Sequence, residues 1–145
     1  LSSPGVLDYS PRAVHCFMLA VAQASTLDRY TNNFSLFLLF EEFRPAHYPA
    51  RLAVFSHAFF EVDAEEIGID FEVRLIVVRG GEVSFASDPV DVKPSGDRHR
   101  VRVNGLVIPE PGIYSVEVEW RRRGLDAGWT REAAAWPIKA TPPLQ

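Results

Sequence analysis

Gly105-Leu106-Val107-Ile108-Pro109-Glu110-Pro111-Gly112-Ile113-Tyr114-Ser115-Val116-Glu117-Val118-Glu119-Trp120 is the stretch whose reading decides the fold. A short apolar segment runs into Pro-Glu-Pro-Gly, and a segment of strict period two leaves it. Tyr114, Val116, Val118 and Trp120 alternate with Ser115, Glu117, Glu119 and Arg121. That spacing predicts a half-buried antiparallel strand with one wet face.

A Tyr two residues past the Gly of such a corner suits a tyrosine corner, in which the phenol ties back to upstream backbone in immunoglobulin-like sandwiches. Tyr114 is therefore expected to be structural. Working outward, Ala13–Ala20 is a compact apolar run expected as a buried first strand, with helix as the competing reading. Asp28–Asn33 suits a turn, and Phe34–Phe40 a second buried strand. Arg44–Arg51, with two Pro, reads as an extended connector. Leu52–Val62 is a third apolar segment, Asp63–Glu66 an acidic loop, and Ile67–Val78 a long alternating strand. Gly80-Gly81 is a hairpin turn before Glu82–Ala86. Val90–Lys93, flanked by Pro, reads as a short edge strand. Arg98–Val103 places Arg outward and His99, Val101 and Val103 inward. Arg121–Gly128 is a basic hairpin loop. Trp129–Lys139 is the last strand, although its Glu-Ala-Ala-Ala favours helix by propensity.

These segments predict an all-β protein: one Ig-like or fibronectin-like antiparallel sandwich of about seven to nine strands. A single domain is expected over 1–145, with its core in 13–140 and tails at 1–12 and 141–145. The 145 residues, 47% apolar and with ten Phe, suffice for a core. Cys16 is the only Cys, so no intrachain disulfide and no Cys₄ or Cys₂His₂ zinc site can form. A sandwich without a disulfide points to a reducing compartment, and cytoplasmic is the expected location. The N-terminal Leu-Ser-Ser-Pro-Gly shows no basic region followed by an apolar run, so no signal peptide is visible; it also lacks an initiating Met, which leaves a removed export signal as the alternative. No run is long and apolar enough for a membrane helix.

The residues that carry no fingerprint also bear on function. His15, His47, His57 and His99 lie in different segments, without the spacing of a metal pair. His57 and Glu61 would share a strand face about 13 Å apart. Cys16 and His15 are neighbours, so on a strand they point to opposite faces, and apolar surroundings should raise the thiol pKa. No nucleophile elbow or nucleotide loop is present. Asp63, Glu65, Glu66 and Asp70 are the densest carboxylates, a weak calcium candidate against the reading of a solvated loop. Arg98, Arg100 and Arg102 on one strand face, and Arg121, Arg122 and Arg123 in a hairpin, could form an anion or partner surface. Local pairing with outward Glu117 and Glu119 is the plainer reading. The net charge of −4 argues against nucleic acid.

Four places carry a family resemblance: Phe17-Met18-Leu19-Ala20 through Asn33, Phe43 to Leu52, Ala64-Glu65-Glu66-Ile67-Gly68 leading into Phe71-Glu72-Val73-Arg74-Leu75, and Pro111-Gly112-Ile113-Tyr114. In these the chain resembles an uncharacterised family of small bacterial Ig-like β-sandwich proteins. The resemblance implies the fold and no activity or cofactor. Phe59 and Phe60, like Val54 and Phe55, face opposite sides of a sheet, and Trp120, Trp129 and Trp136 add further apolar surface. More apolar faces exist than one core requires. The sequence thus points to a non-catalytic module that binds a protein partner or itself. A small-molecule or carbohydrate-binding sandwich using exposed Trp and Tyr is second, and an enzyme third.

Overall fold

The computed structural model describes residues 14–31, 33–124 and 128–143. The expected N-terminal tail, Asn32 of the turn and 125–127 of the basic hairpin lie outside the described residues. Ten strands are described: β1 (Val14–Leu27), β2 (Phe34–Leu39), β3 (Glu42–Phe43), β4 (Ala50–Val62), β5 (Phe71–Arg79), β6 (Glu82–Ala86), β7 (Val90–Val92), β8 (Arg98–Ile108), β9 (Gly112–Arg122) and β10 (Thr130–Ala140). They form two sheets. One runs β2-β1-β4-β8; the other runs β3-β10-β9-β5-β6, with β7 also paired to β5. Every described pairing is antiparallel except the short β10–β3 contact. The architecture is the expected β-sandwich.

Period-two alternation builds the core between the sheets. Val54, Ala58, Phe60 and Val62 of β4 and Val101 and Val103 of β8 face Phe71, Val73, Leu75 and Val77 of β5 and Tyr114, Val116 and Val118 of β9 in one buried cluster. The corner that joins β8 to β9 behaves as read. The Tyr114 hydroxyl donates to the Glu110 carbonyl at 2.7 Å, and the ring is buried. Arg79 clasps the same corner: it pairs with Glu110 at 2.6 Å and lies over the Tyr114 ring. A Cβ at Gly112 would come within 2.8 Å of its guanidinium.

Several expectations are corrected. β5 starts at Phe71, not Ile67, because Gly68 has a φ of 88° and its N–H donates to the Pro94 carbonyl outside any ladder. Ile67 and Ile69 are exposed. β1 extends to Leu27, well past Ala20. The segment from Phe34 is a strand but not a buried one: Phe37, Leu38 and Leu39 are 49%, 69% and 52% exposed, and only Phe40 enters the core. The segment from Trp129 is strand despite its alanines. The apolar run 105–108 is not a separate strand; it continues β8 past Gly105, opposite a bulge in β4.

β10 also holds a residue that the alternation misses. Arg131 pairs with Glu119 and Ala135 with Glu117, so residues 132–134 face the single Val118. The extra residues turn Glu132 inward. Its carboxylate is buried between the sheets, accepting from the Trp120 indole at 2.9 Å and from the Cys16 backbone N–H at 2.7 Å. His15 Nδ1 lies 3.1 Å from it.

Two substitutions check this frame. Tyr114→Phe keeps the ring and loses the corner bond, and should lower urea-unfolding stability by about 1 kcal/mol. Glu132→Ala strands an indole N–H and a backbone N–H in the core, and should cost about 3 kcal/mol or more by the same measurement.

Candidate functional site

The pairing register decides which charges are neutralised. Antiparallel β5–β9 pairing sets Glu72 opposite Arg121, and their side chains meet at 3.0 Å. Arg122 donates to Glu66, and Arg123 lies 3.5 Å from Asp91. The Arg121–Arg123 run is therefore spent on carboxylates of the same sheet or its connections. Arg74 and Arg121 also sandwich Trp129, at 4.3 and 4.2 Å from its ring centre. Glu117 and Glu119 do meet arginines, but those of Arg74 and Arg131.

The acidic residues do not converge. Asp63 precedes a short 3₁₀ turn (Ala64–Glu66) that contains Glu65, Glu66 faces Arg122, and Asp70 lies 3.8 Å from Lys93. Among the described residues no group of three or more His, Cys, Asp or Glu could hold a metal ion.

The outward face of the four-stranded sheet is different. Arg98, Arg100 and Arg102 project from β8, as their alternation predicts, and all three are exposed. Each covers an aromatic ring of another strand of the sheet: Arg98 over Phe17 of β1 at 5.1 Å, Arg100 over Phe34 of β2 at 3.8 Å, Arg102 over Phe55 of β4 at 5.0 Å. Arg98 lies 3.6 Å from Glu61. Arg100 and Arg102 have no carboxylate partner among the described residues.

His57 sits on this same outward face of β4, opposite Arg102. It is nevertheless 1% exposed, and neither ring nitrogen has a hydrogen-bond partner. The cover comes from an arm. β1 pairs Ala20 with His57, yet at its far end pairs Leu27 with Phe34. A flat strand would separate Leu27 from Ala20 by about 23 Å. Phe34 instead packs edge-on against His57 at 5.2 Å and against Phe59 at 5.9 Å. The β1–β2 hairpin therefore curls back over its own sheet. The turn at its tip is set by Asp28, whose carboxylate accepts the N–H groups of Tyr30 and Thr31 and is held below the usual carboxylate range by them. Between arm and sheet lies a concave space of about 330 Å³, lined by residues 25–27, Phe34, His57, Arg100 and Arg102.

Cys16 is the remaining reactive group. Its thiol is buried, donates to the Met18 carbonyl at 3.3 Å, and is pushed up to about 11 by burial, with the Glu132 charge adding to the effect. It offers no thiolate near neutrality. The sequence singled out the arginines of the outward face, but not Phe34 or the burial of His57, because nothing local signals the curl of the arm.

The fold and this surface define a β-sandwich with one charged, aromatic outward face and no helix long and apolar enough to cross a membrane among the described residues. No protein-family model and no curated protein matches the sequence. Among solved structures the chain aligns with the PmoD soluble domain from Methylocystis sp. ATCC 49242 (Rockwell), at 15% identity over 88% of this chain and 90% of that one, with a TM-score of 0.29.

Burial, then the Arg102 and Arg100 charges, hold His57 below its ordinary 6.5, and burial with Arg100 does the same to His99. Unfolded imidazoles take up protons at about pH 6.5, and these folded ones only at lower pH. The unfolded state thus binds more protons just below that value, so stability falls as pH drops through the window. The urea midpoint should fall between about pH 7.5 and about pH 5, and fall less in His57→Phe, where only the His99 part remains. At about pH 8 a thiol-specific dye should label Cys16 only at the rate of unfolding; fast labelling of the native protein would contradict its burial.

Proposed function

We propose that the protein is a non-catalytic assembly module whose partner is a second copy of itself, joined along edge strand β2. The supporting observation is how unlike the other sheet edges β2 is. β8 carries Arg98, Arg100 and Arg102, β6 begins with Glu82, and β3 has two residues, one of them Glu42. Charge and shortness are the usual defences of an edge against pairing. β2, Phe-Ser-Leu-Phe-Leu-Leu, has no charge and no Pro, and its outer three residues are the exposed apolar ones.

Two copies of such a strand meet without like charges, and an antiparallel pair closes with two-fold symmetry. Strand addition supplies main-chain hydrogen bonds, while Phe37, Leu38 and Leu39 supply the apolar contact. Leu38 adds a second support. It holds a φ of 56°, a region that suits Gly, yet its side chain gains no core burial in return. Under this reading the strain keeps Leu38 presented for contact. The module belongs to the cytoplasm, where Cys16 stays a thiol, and the resemblance to small bacterial Ig-like sandwiches is part of the same proposal.

Light scattering on a size-exclusion column tests it. The mass should exceed the 16.3 kDa of one chain and fall on dilution. Phe37→Lys and Leu38→Lys should weaken association at least about tenfold. Leu38→Gly relieves strain of about 1 kcal/mol, so it should hold or raise the melting temperature while still weakening association. A 16.3 kDa mass at every concentration overturns the proposal.

A further inference from the structure

We propose that the concave space between the arm and the four-stranded sheet is a binding site for a small phosphomonoester, gripped by Arg100, Arg102 and His57 beneath Phe34. The site shares only Phe34 with β2, apart from the exposed Phe37, Leu38 and Leu39 of the proposed edge contact, and it has its own test. Three observations carry it.

First, Arg100 and Arg102 are two positions apart on one strand face, about 6.7 Å along β8, and neither is neutralised by a carboxylate among the described residues. The other outward arginines of the notable runs, Arg98 and Arg121–Arg123, all have one. Two unpaired guanidiniums side by side repel each other, and a dianion between them removes that cost.

Second, His57 is buried with both nitrogens unpartnered and lines the same space. A buried polar group without a partner costs on the order of 1–3 kcal/mol, and folded proteins keep few of them. An oxygen of a bound anion satisfies the imidazole N–H. No other titratable side chain lines the space: the arm contributes only Ser25, Thr26, Leu27 and Phe34. The charges that face His57 are thus those of Arg102 and Arg100; burial first, and these charges second, favour the neutral ring, which has one N–H to donate.

Third, the stacking leaves the donors available. The guanidinium carbon of Arg100 lies over the Phe34 ring, 3.8 Å from its centre, and that of Arg102 lies 5.0 Å from the centre of Phe55. A guanidinium held by its face still points its N–H groups outward in its own plane. Three donor groups, two arginines and one imidazole, match the three terminal oxygens of a phosphomonoester. A carboxylate has two oxygens, and a phosphodiester has two that are unesterified. The space, at about 330 Å³, exceeds what phosphate alone fills, and Phe34 and Leu27 offer an apolar wall to an organic group.

The test is calorimetric titration of the full chain with phenyl phosphate, inorganic phosphate, benzoate and a single-stranded oligothymidylate without terminal phosphates, at low salt. Histidine NMR is followed alongside. Phenyl phosphate should bind more tightly than inorganic phosphate and at least about tenfold more tightly than benzoate. Binding should shift the His57 ring signals and raise the pH at which they titrate. Arg100→Gln and Arg102→Gln should each weaken phenyl phosphate about tenfold or more, while Arg98→Gln, outside the space, binds as the parent does. Should one variant fail to fold, the other and the His57 signals of the parent still decide. No heat and no His57 shift at millimolar phenyl phosphate overturns the site. Equal affinity for benzoate, or tighter binding of the oligothymidylate, overturns its phosphomonoester character, the latter in favour of a nucleic-acid face.

Discussion

The buried carboxylate of Glu132 is the interaction on which the rest of the sandwich depends. It lies between the sheets, and taking a carboxylate out of water costs several kcal/mol unless donors replace the water. The donors come from both sheets: the Cys16 backbone N–H and His15 from β1, and the Trp120 indole from β9. β1 shifts register between Cys16 and Met18 where it runs beside β4, and β10 does so between Arg131 and Ala135. The two irregularities that look like faults in the ladders are the two sides of one polar clamp. The clamp has consequences on both sides. Inward, its negative charge adds to the burial that silences the Cys16 thiol. Outward, the β1 bulge leaves Phe17 and Met18 exposed, and Phe17 reaches Phe59 and Arg98.

From that bulge the outward face of the four-stranded sheet is laid out. β1 runs on past Ala22 to its hairpin with β2, which brings Phe34 back over His57 and Phe59 of β4. Without that hairpin His57 would be a half-exposed surface histidine beside Arg102. With it, the imidazole is sealed against aromatic and guanidinium faces, and its charge is disfavoured by loss of water first and by the arginines second. The arm thus has two unlike sides. One covers the arginine face of its own sheet through Phe34; the other presents Phe37, Leu38 and Leu39 to solvent.

How far the sequence revealed this depended on whether the cause was local. The corner at Pro109–Tyr114 was legible because Pro, Gly and a Tyr at fixed offset leave the backbone few choices, and the phenol needs a nearby carbonyl. The Gly80-Gly81 hairpin was legible for the same reason, with both residues at positive φ. The alternation through Ile67 and Ile69 misled, because Gly68 at positive φ breaks a strand that hydrophobicity alone would continue. Phe34–Leu39 misled in the opposite sense: apolar residues predict burial only if another surface is there to cover them, and β2 lies at an edge. Glu132 was invisible, since Glu-Ala-Ala-Ala carries no mark of the bulge that turns it inward. The arginines were legible as a patterned face, but their partners were not. Glu72 and Arg121 are far apart in sequence and meet only through the β5–β9 register.

That register also explains why the two outward faces differ. On the six-stranded sheet, outward Glu72, Glu117 and Glu119 stand among Arg74, Arg121 and Arg131, and the charges close on one another. On the four-stranded sheet β8 supplies three outward arginines, while the outward residues of β4 beside them are Phe55, His57, Phe59 and one acid, Glu61. Glu61 pairs with Arg98 at one end of the row, and the remaining two cations are left to aromatic rings. Aromatic faces attract a guanidinium by about 0.5–2 kcal/mol but do not neutralise it. The asymmetry therefore leaves localised positive charge on an acidic protein, beside the aromatic arm that carries Phe34. It follows from four residues of β4, Phe55, His57, Phe59 and Glu61, which supply one carboxylate to three arginines where the other sheet supplies one for each.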